Sequence, residues 1–324
     1  MKILVTGGSG FIGTHLLAHL AKLGHEIINV DNTKPRDECK LSIWRNCSIL
    51  EKTALRQVFR DFQPHAVVHL AAYASVEAKS LVDYRANTDG TANLLECCKE
   101  TRTIERVVIA STQHVRRPGS PPPTSDVDYV PYMLYGESKV ITEQLTRAAD
   151  LECSWTIIRP TAVWGAGHPF LPDGLWKLMA QGKYFHPSHD PVIRSYGYVK
   201  NVAWQIEKLL QSEADMVNRK VFYVADGNIR QYDWVNSFAK QLTGRDVRTV
   251  PVSFISLLAR IGDGMRAIGL RFPMYSSRYL NLITSNPVPI EPTLQLLGLP
   301  PYSLDQGVQE TATWFNYRHG NHSE

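Results

Sequence analysis

A doubly wound parallel α/β sheet followed by a smaller carboxy-terminal α/β lobe is what this sequence predicts, on three observations. Short β-branched or aliphatic runs alternate with helix-length stretches through the first half, glycines 7, 10 and 13 follow the first run directly, and the texture turns irregular after Gly165. Alternation of this kind builds parallel strands whose crossover helices cover both faces of the sheet.

Strands are read at 3–5, 27–30, 66–70, 107–110 and 155–158, with helices at 11–23, 53–62 and 87–99 between the first four. After Gly165 come prolines 169, 172, 187 and 191 and the aromatics Phe170, Trp176, Tyr184 and Phe185, which mark an excursion into a second region. Residues 196–199, a helix at 201–211 and a strand at 221–224 return to the sheet. The expected domains are therefore 1–165 with 195–225 for cofactor binding, and 166–194 with 226–324 as a substrate-binding lobe. The stretch 116–123, with Arg116, Arg117 and four prolines, is an exposed loop.

Composition excludes several classes. A chain of 324 residues with 44% hydrophobic content can bury a large core. Its net charge of +4 is small, its basic residues are scattered among acids, and nucleic acid is not the expected partner. No apolar run reaches the roughly 18 residues of a spanning helix. The first residues pass straight into a strand and leave no room for a signal peptide, so a cytoplasmic protein is expected. Cys39, Cys47, Cys97, Cys98 and Cys153 lack paired metal-ligand spacing and are read as reduced and structural. His186 and His189 are too few to make a metal site, and no metal is expected.

The glycine turn carries the first chemistry. Gly7 permits a tight turn, Gly10 lets backbone approach a pyrophosphate, and Gly13 permits close packing of helix on sheet in a Rossmann-type fold. Amides at the helix start then meet negative charge with the favourable end of the helix dipole. Asp31 ends the second strand, where a carboxylate accepts from an adenosine ribose and repels a 2′-phosphate, so NAD is preferred over NADP. Lys34 and Arg36 lie close enough in sequence to soften that preference.

Tyr135 and Lys139 carry the second. Four residues apart on a helix, they share one face and address the same small volume. A tyrosine is an awkward base with an ordinary pKa near 10, and a nearby ammonium favours its phenolate. Such a pair can abstract the proton of an alcohol while a hydride leaves the same carbon.

In order and spacing these motifs resemble the extended short-chain dehydrogenase/reductase family, within it the NAD-dependent epimerase/dehydratase group that acts largely on nucleotide sugars. The resemblance runs through Gly7-x-x-Gly10-x-x-Gly13, Asp31-Asn32, His69-Leu70-Ala71-Ala72, Asn87-x-x-Gly90-Thr91, Ser111-Thr112, Tyr135-x-x-x-Lys139, Arg159-Pro160 and Tyr198-Val199-x-Asn201. It implies that Phe11 and Ile12 supply amides to the pyrophosphate, and that Leu70, Ala71 and Ala72 line the cofactor. Asn32 would belong to the cofactor site, Asn87 would steady the backbone, and Pro160 would begin the segment that meets the nicotinamide. Thr112 takes the family's serine or threonine position, Tyr135 that of the acid/base, and Lys139 that of its partner, which also binds the nicotinamide ribose. A homodimer through 87–99 and 135–149 is implied as well.

Departures from the family pattern bear on the substrate. Dehydratases of the group resemble Thr-Asp-Glu where this chain has Thr112-Gln113-His114, so acid-driven loss of water is not expected. Arg116 either grips a phosphate or carboxylate or is a solvated loop charge. Ala162 stands where nucleotide-sugar enzymes commonly have asparagine, whereas Arg194 fits the arginine that meets a diphosphate. Ser48-Ile49 replaces the Asp-Ile that contacts adenine in relatives.

The segment 252–270 places Phe254, Leu257, Leu258, Ile261, Met265 and Ile268 on one helical stripe, with Arg260 and Arg266 opposite. Core or cleft wall is the expected use, with an interfacial membrane helix as the other reading.

The leading expectation is NAD-dependent oxidation or reduction of a carbinol carbon of a nucleotide sugar, as a 4-epimerase or 4-ketosugar reductase. The alternatives are a hydroxysteroid-type or other alcohol dehydrogenase, and a non-catalytic NAD-sensing or RNA-associated protein of the same fold.

Overall fold

The computed structural model of the protein describes residues 1–320 apart from 77, 189–190 and 271, so His189 lies outside the described residues. Two compact units divide the chain: Met1–Val163 with Gly197–Asp226 and Pro289–Pro301 form the first. Trp164–Tyr196, Gly227–Val288 and the residues from Tyr302 onward form the second.

The first unit is built on seven strands: β1 (Lys2–Thr6), β2 (Glu26–Asp31), β3 (Trp44–Asn46), β4 (Ala66–His69), β5 (Arg106–Ala110), β6 (Ser154–Pro160) and β7 (Lys220–Val224). They lie in the order β7-β6-β5-β4-β1-β2-β3, every pair parallel. The order reverses between β1 and β4, and an open parallel sheet binds its ligand beyond the carboxyl ends of the strands at that point.

Helices α1 (Phe11–Lys22), α2 (Lys52–Phe62), α3 (Asp89–Glu100), α4 (Leu134–Ala148), α5 (Val199–Gln211) and α6 (Glu291–Leu297) complete the unit. Successive strand residues point to opposite faces, and the core divides accordingly. Ile3, Val5, Ala66, Val68, Val108 and Ile158 join Leu16, Leu17 and Leu20 of α1 and Val202, Ile206 and Leu209 of α5 in one cluster. Leu4, Val67, Val107, Ile109 and Ile157 join Leu55 and Phe59 of α2 and Leu94 and Leu95 of α3 in the other. Each such aliphatic side chain, fully buried, contributes roughly 1.5–3 kcal/mol.

The second unit is packed around aromatic side chains. Trp176 stacks on Phe238 at 5.2 Å between ring centroids, Trp164 meets Phe238 edge-on at 5.4 Å, and Tyr196 stacks on Trp234 at 4.7 Å. Strand residues Ile193 to Tyr196 pair antiparallel with Gly227–Arg230, and Phe185–Ser188 pairs parallel with Arg248–Pro251.

Four placements differ from the sequence reading. Residues 196–198, expected in the main sheet, close the strand Ile193–Tyr198 of a separate three-stranded sheet instead. β3 was not anticipated, because three residues carry no alternation to detect. Residues 289–301, assigned to the smaller lobe, belong to the first unit: Thr293 of α6 donates to the Tyr223 carbonyl on β7, and Leu296 and Leu297 pack on the sheet cluster. The stripe on the helix Val252–Ala267 is not core. Its buried residues are Ile255, Ala259 and Gly262, while Phe254, Leu257 and Ile261 stay exposed.

Candidate active site

The glycine turn closes on the end of β4. Gly7 has φ +71°, and a Cβ there would stand 2.5 Å from the Ala71 amide nitrogen, so only glycine lets the two segments meet. A Cβ on Gly13 would stand 2.3 Å from the Gly7 carbonyl, which explains how closely α1 rides on the turn. No side chain caps α1 at Gly10. Beside the turn is a cavity of about 360 Å³, lined among others by Gly7, Gly10, Asp31, Asn32, Ser48, Ile49, Leu70, Ala71 and Ala72. Asp31 accepts from the Ser9 amide at 3.0 Å and from the Thr33 amide at 2.8 Å. The structure therefore brings the glycines, the acid after β2, the Ser-Ile pair and the β4 end together. Phe11 and Ile12 open α1 beside them.

A buried polar relay, missed by sequence reasoning, links this cavity to α4. The Ala71 amide donates to Thr6 Oγ1 at 3.3 Å, and Thr6 Oγ1 lies 2.7 Å from His69 Nδ1. His69 Nε2 lies 3.2 Å from Thr91 Oγ1, which itself donates to the Asn87 carbonyl at 2.8 Å. Thr91 thus accepts from His69, which fixes the Nε2–H tautomer and leaves Nδ1 to accept from Thr6. Asn87, fully buried, accepts from the Tyr73 amide and donates to Ser138 Oγ at 2.9 Å. Ser138 donates to the Tyr135 carbonyl at 2.7 Å. Only the composite pattern His69, Thr91, Asn87 signalled this chain beforehand.

Burial, with the Lys139 charge adding to it, drives His69 down to about 3 and keeps it neutral. The folded state thus refuses a proton that the unfolded chain takes up near its ordinary value of about 6.5, so stability falls as pH drops below that value. Melts of wild type and His69→Gln should show the wild-type advantage shrinking by about 2 kcal/mol between about pH 7 and pH 5. A constant gap would contradict the neutral imidazole.

Tyr135 and Lys139 stand on the first turns of α4, with Thr112 at the end of β5. Gly136 makes their approach possible, since a Cβ there would lie 2.3 Å from the His114 carbonyl. Thr112 accepts from the His114 amide at 3.3 Å, and its side chain favours the phenolate of Tyr135. Burial pushes that phenol up to about 12, and Thr112 pulls the other way. Lys139 is 2% exposed, and burial brings its ammonium down to about 8, opposed by the carboxylate of Glu143. The Lys139 charge also bears on His69, and Thr112 favours the Tyr135 phenolate.

Beneath Lys139, Arg159 donates to Glu143 from Nε to Oε1 at 2.8 Å and from a terminal nitrogen to Oε2 at 2.8 Å. Tyr129 donates to the same carboxylate at 2.9 Å, and neither charge reaches solvent. Burial opposes the Arg159 charge, but the bonds to Glu143 outweigh it and hold the guanidinium above its usual range. Pro160 follows it and pairs with Val224.

The expected substrate residues divide. His114 lies beside Tyr135, ring centroids 6.3 Å apart, and its Nδ1 is 3.0 Å from the Tyr132 hydroxyl. Gln113 opens the same short turn and is half-buried. Arg116 is engaged within its own loop: it pairs with Asp128 at 2.9 Å and donates to the Asp128 and Pro121 carbonyls. Arg194, in the second unit, donates to the Asn281 side chain at 2.9 Å, to the Asn281 carbonyl and to that of Thr284 at 3.2 Å.

A doubly wound sheet with a glycine-lined cavity at its switch point and a tyrosine and lysine on the adjoining helix defines the class of dinucleotide-binding α/β enzymes. The chain belongs to the NAD dependent epimerase/dehydratase family, whose sequence model matches residues 3–225. It is similar to the UDP-glucose 4-epimerase of Bacillus subtilis (strain 168), 31% identical over 286 residues, which take in 76% of this chain and 84% of that one. It is also similar to the UDP-N-acetyl-alpha-D-glucosaminuronate decarboxylase of Bacillus cytotoxicus, 35% identical over 149 residues, 43% of this chain and 44% of that one. Among solved structures, UDP-glucuronic acid 4-epimerase from Bacillus cereus, in complex with UDP-glucuronic acid and NAD, matches with a TM-score of 0.75. That match is 21% identical and covers 98% of this chain and 100% of that one, a likeness of fold.

Proposed function

We propose that this enzyme oxidises and reduces one carbinol carbon of a nucleotide sugar with NAD, most simply as a 4-epimerase and otherwise as a 4-ketosugar reductase. The observation that carries the reading is the grouping of Tyr135 with Thr112, which favours its phenolate, and with buried Lys139 one helical turn on. The residues fit the cofactor: glycines 7 and 10 leave backbone bare toward the cavity, the uncapped start of α1 offers amides to a pyrophosphate, and Asp31 offers a carboxylate to the ribose of NAD in preference to NADP.

When bound, NAD supplies the hydride acceptor and donor for the carbinol carbon. Tyr135 Oη takes the hydroxyl proton as the carbonyl forms and returns it on reduction. Thr112 holds the reacting oxygen in line and favours the phenolate, and Lys139 holds the nicotinamide ribose. Asn87 and Ser138 fix the backbone of the tyrosine. Gln113 and His114 contribute no carboxylate pair, which speaks against loss of water, and His114 is placed to bound the sugar beside Tyr135. The Arg194 guanidinium is proposed for the diphosphate. A homodimer through α3 and α4 and a cytoplasmic setting belong to the same reading.

Relatives that act on UDP-sugars favour this over a simple alcohol dehydrogenase. The test incubates the purified chain and NAD with UDP-glucose and UDP-glucuronic acid separately and follows the C4 proton by NMR. Interconversion of the C4 epimers without net NADH is expected of an epimerase. Failure on every nucleotide sugar, with NADH accumulating on simple alcohols, would overturn the proposal.

A further inference from the structure

The helix Val252–Ala267 inverts the usual pattern of a surface helix. It seats its small residues inward: Ala259 and Gly262 are buried beside Ile255, and a Cβ on Gly262 would collide with the Met274 carbonyl. The bulky side chains stand outward, with Phe254 49%, Leu257 55% and Ile261 46% exposed on one stripe. Ile268 and Leu270 extend the apolar run beyond the helix, and Leu280 is exposed on the helix Ser276–Ile283 that packs against it. An amphipathic helix ordinarily turns its large apolar residues to the core.

Charge distinguishes this segment further. Residues 245–280 hold six arginines and two aspartates, with no lysine or glutamate. The chain has 35 basic and 31 acidic residues, so 29 of each sign remain elsewhere and the whole excess of +4 lies in this one segment. Both aspartates are engaged: Asp246 with Lys240 at 3.1 Å and Asp263 with the Ser276 amide at 3.1 Å. Arg245, Arg248, Arg260, Arg266 and Arg278 are exposed, the last two lying over the ring of Tyr275 at 4.1 and 4.9 Å.

We propose that this exposed apolar stripe, carried in the segment that holds the chain's excess of arginine, docks the enzyme onto an anionic phospholipid surface. Phe254, Leu257, Ile261 and Ile268 enter the boundary between headgroups and acyl chains, and the guanidinium forks bind lipid phosphates. No helix among the described residues is long and apolar enough to cross a membrane, and the contact is one of surface docking. Two copies meeting through this face would bring like charges together, which favours lipid over self-association.

The test is flotation of the full chain with phosphatidylcholine vesicles, with and without added phosphatidylglycerol. Binding to the anionic vesicles alone is expected, and it should fall at least about tenfold from about 0.1 M to about 1 M salt as the screening length drops from about 10 Å to about 3 Å. Leu257→Glu combined with Ile261→Glu should abolish binding while melting temperature and NAD binding stay unchanged. Phe170→Glu, on an exposed side chain elsewhere, should leave binding intact. Absence of wild-type binding, binding that survives the double variant, or a dimer that the double variant dissolves would each overturn the proposal. None of these outcomes depends on the identity of the substrate.

Discussion

Replacing Tyr135 by phenylalanine should lower kcat by between about a hundredfold and about ten-thousandfold, the range typical of a lost acid/base group. The substitution removes one oxygen and leaves the ring, its contacts with Tyr84 and His114, and the Ser138 bond to the main chain in place. NAD affinity and melting temperature should therefore change little. The hydroxyl beside Thr112 is lost, so a small change in stability accompanies the large change in rate. A Tyr135→Phe enzyme that turns over its sugar nucleotide at the wild-type rate would remove the tyrosine from the proposed chemistry.

Glu143→Ala should have the largest effect on stability. Arg159 is 1% exposed, and without its carboxylate it is left with neutral partners such as the Asp126 carbonyl and the Tyr223 hydroxyl at 3.1 Å. Removing one member of a buried ion pair typically costs about 3–5 kcal/mol, because the other charge stays in a medium that cannot solvate it. Urea denaturation measures the loss directly. Replacing both members, Glu143→Leu with Arg159→Met, should recover much of it, since desolvation then no longer opposes folding. If the single substitution proves neutral, Glu143 is not the counter-charge of Arg159.

What could be read from the sequence followed from how local each signal is. The glycine turn, Asp31 and the Tyr135 and Lys139 pair are short-range patterns, each meaningful within one turn or one helix, and the family match supports the fold they announced. The relay through Thr6, His69, Thr91, Asn87 and Ser138 draws on β1, β4, the segment before α3, α3 itself and α4, with partners up to 63 residues apart. No periodicity registers such a network, because each member looks like an ordinary polar residue at the edge of an apolar run. Residues 289–301 were misplaced for a related reason: what ties α6 to β7 is one threonine and two leucines, while its surroundings in sequence belong to the other unit. The helix at 252–267 shows a third limit, since a stripe reveals a period but not what covers it.

The loop between Arg116 and Val130 bears on how such an enzyme keeps its spacing. Arg116 bridges to Val130, the Val130 amide donates to the Val115 carbonyl at 2.9 Å, and the guanidinium of Arg116 gathers Asp128 and Pro121 across the interior of the loop. The excursion is tied off at its neck like a bag, while Gly136 against His114 sets the spacing of Thr112 and Tyr135 independently of what the bag contains. The proton-transfer pair is thus held at constant separation by a clasp that lies outside residues 117–129, while Pro121, Asp128 and Tyr129 tie that excursion to the rest of the unit by bonds of their own.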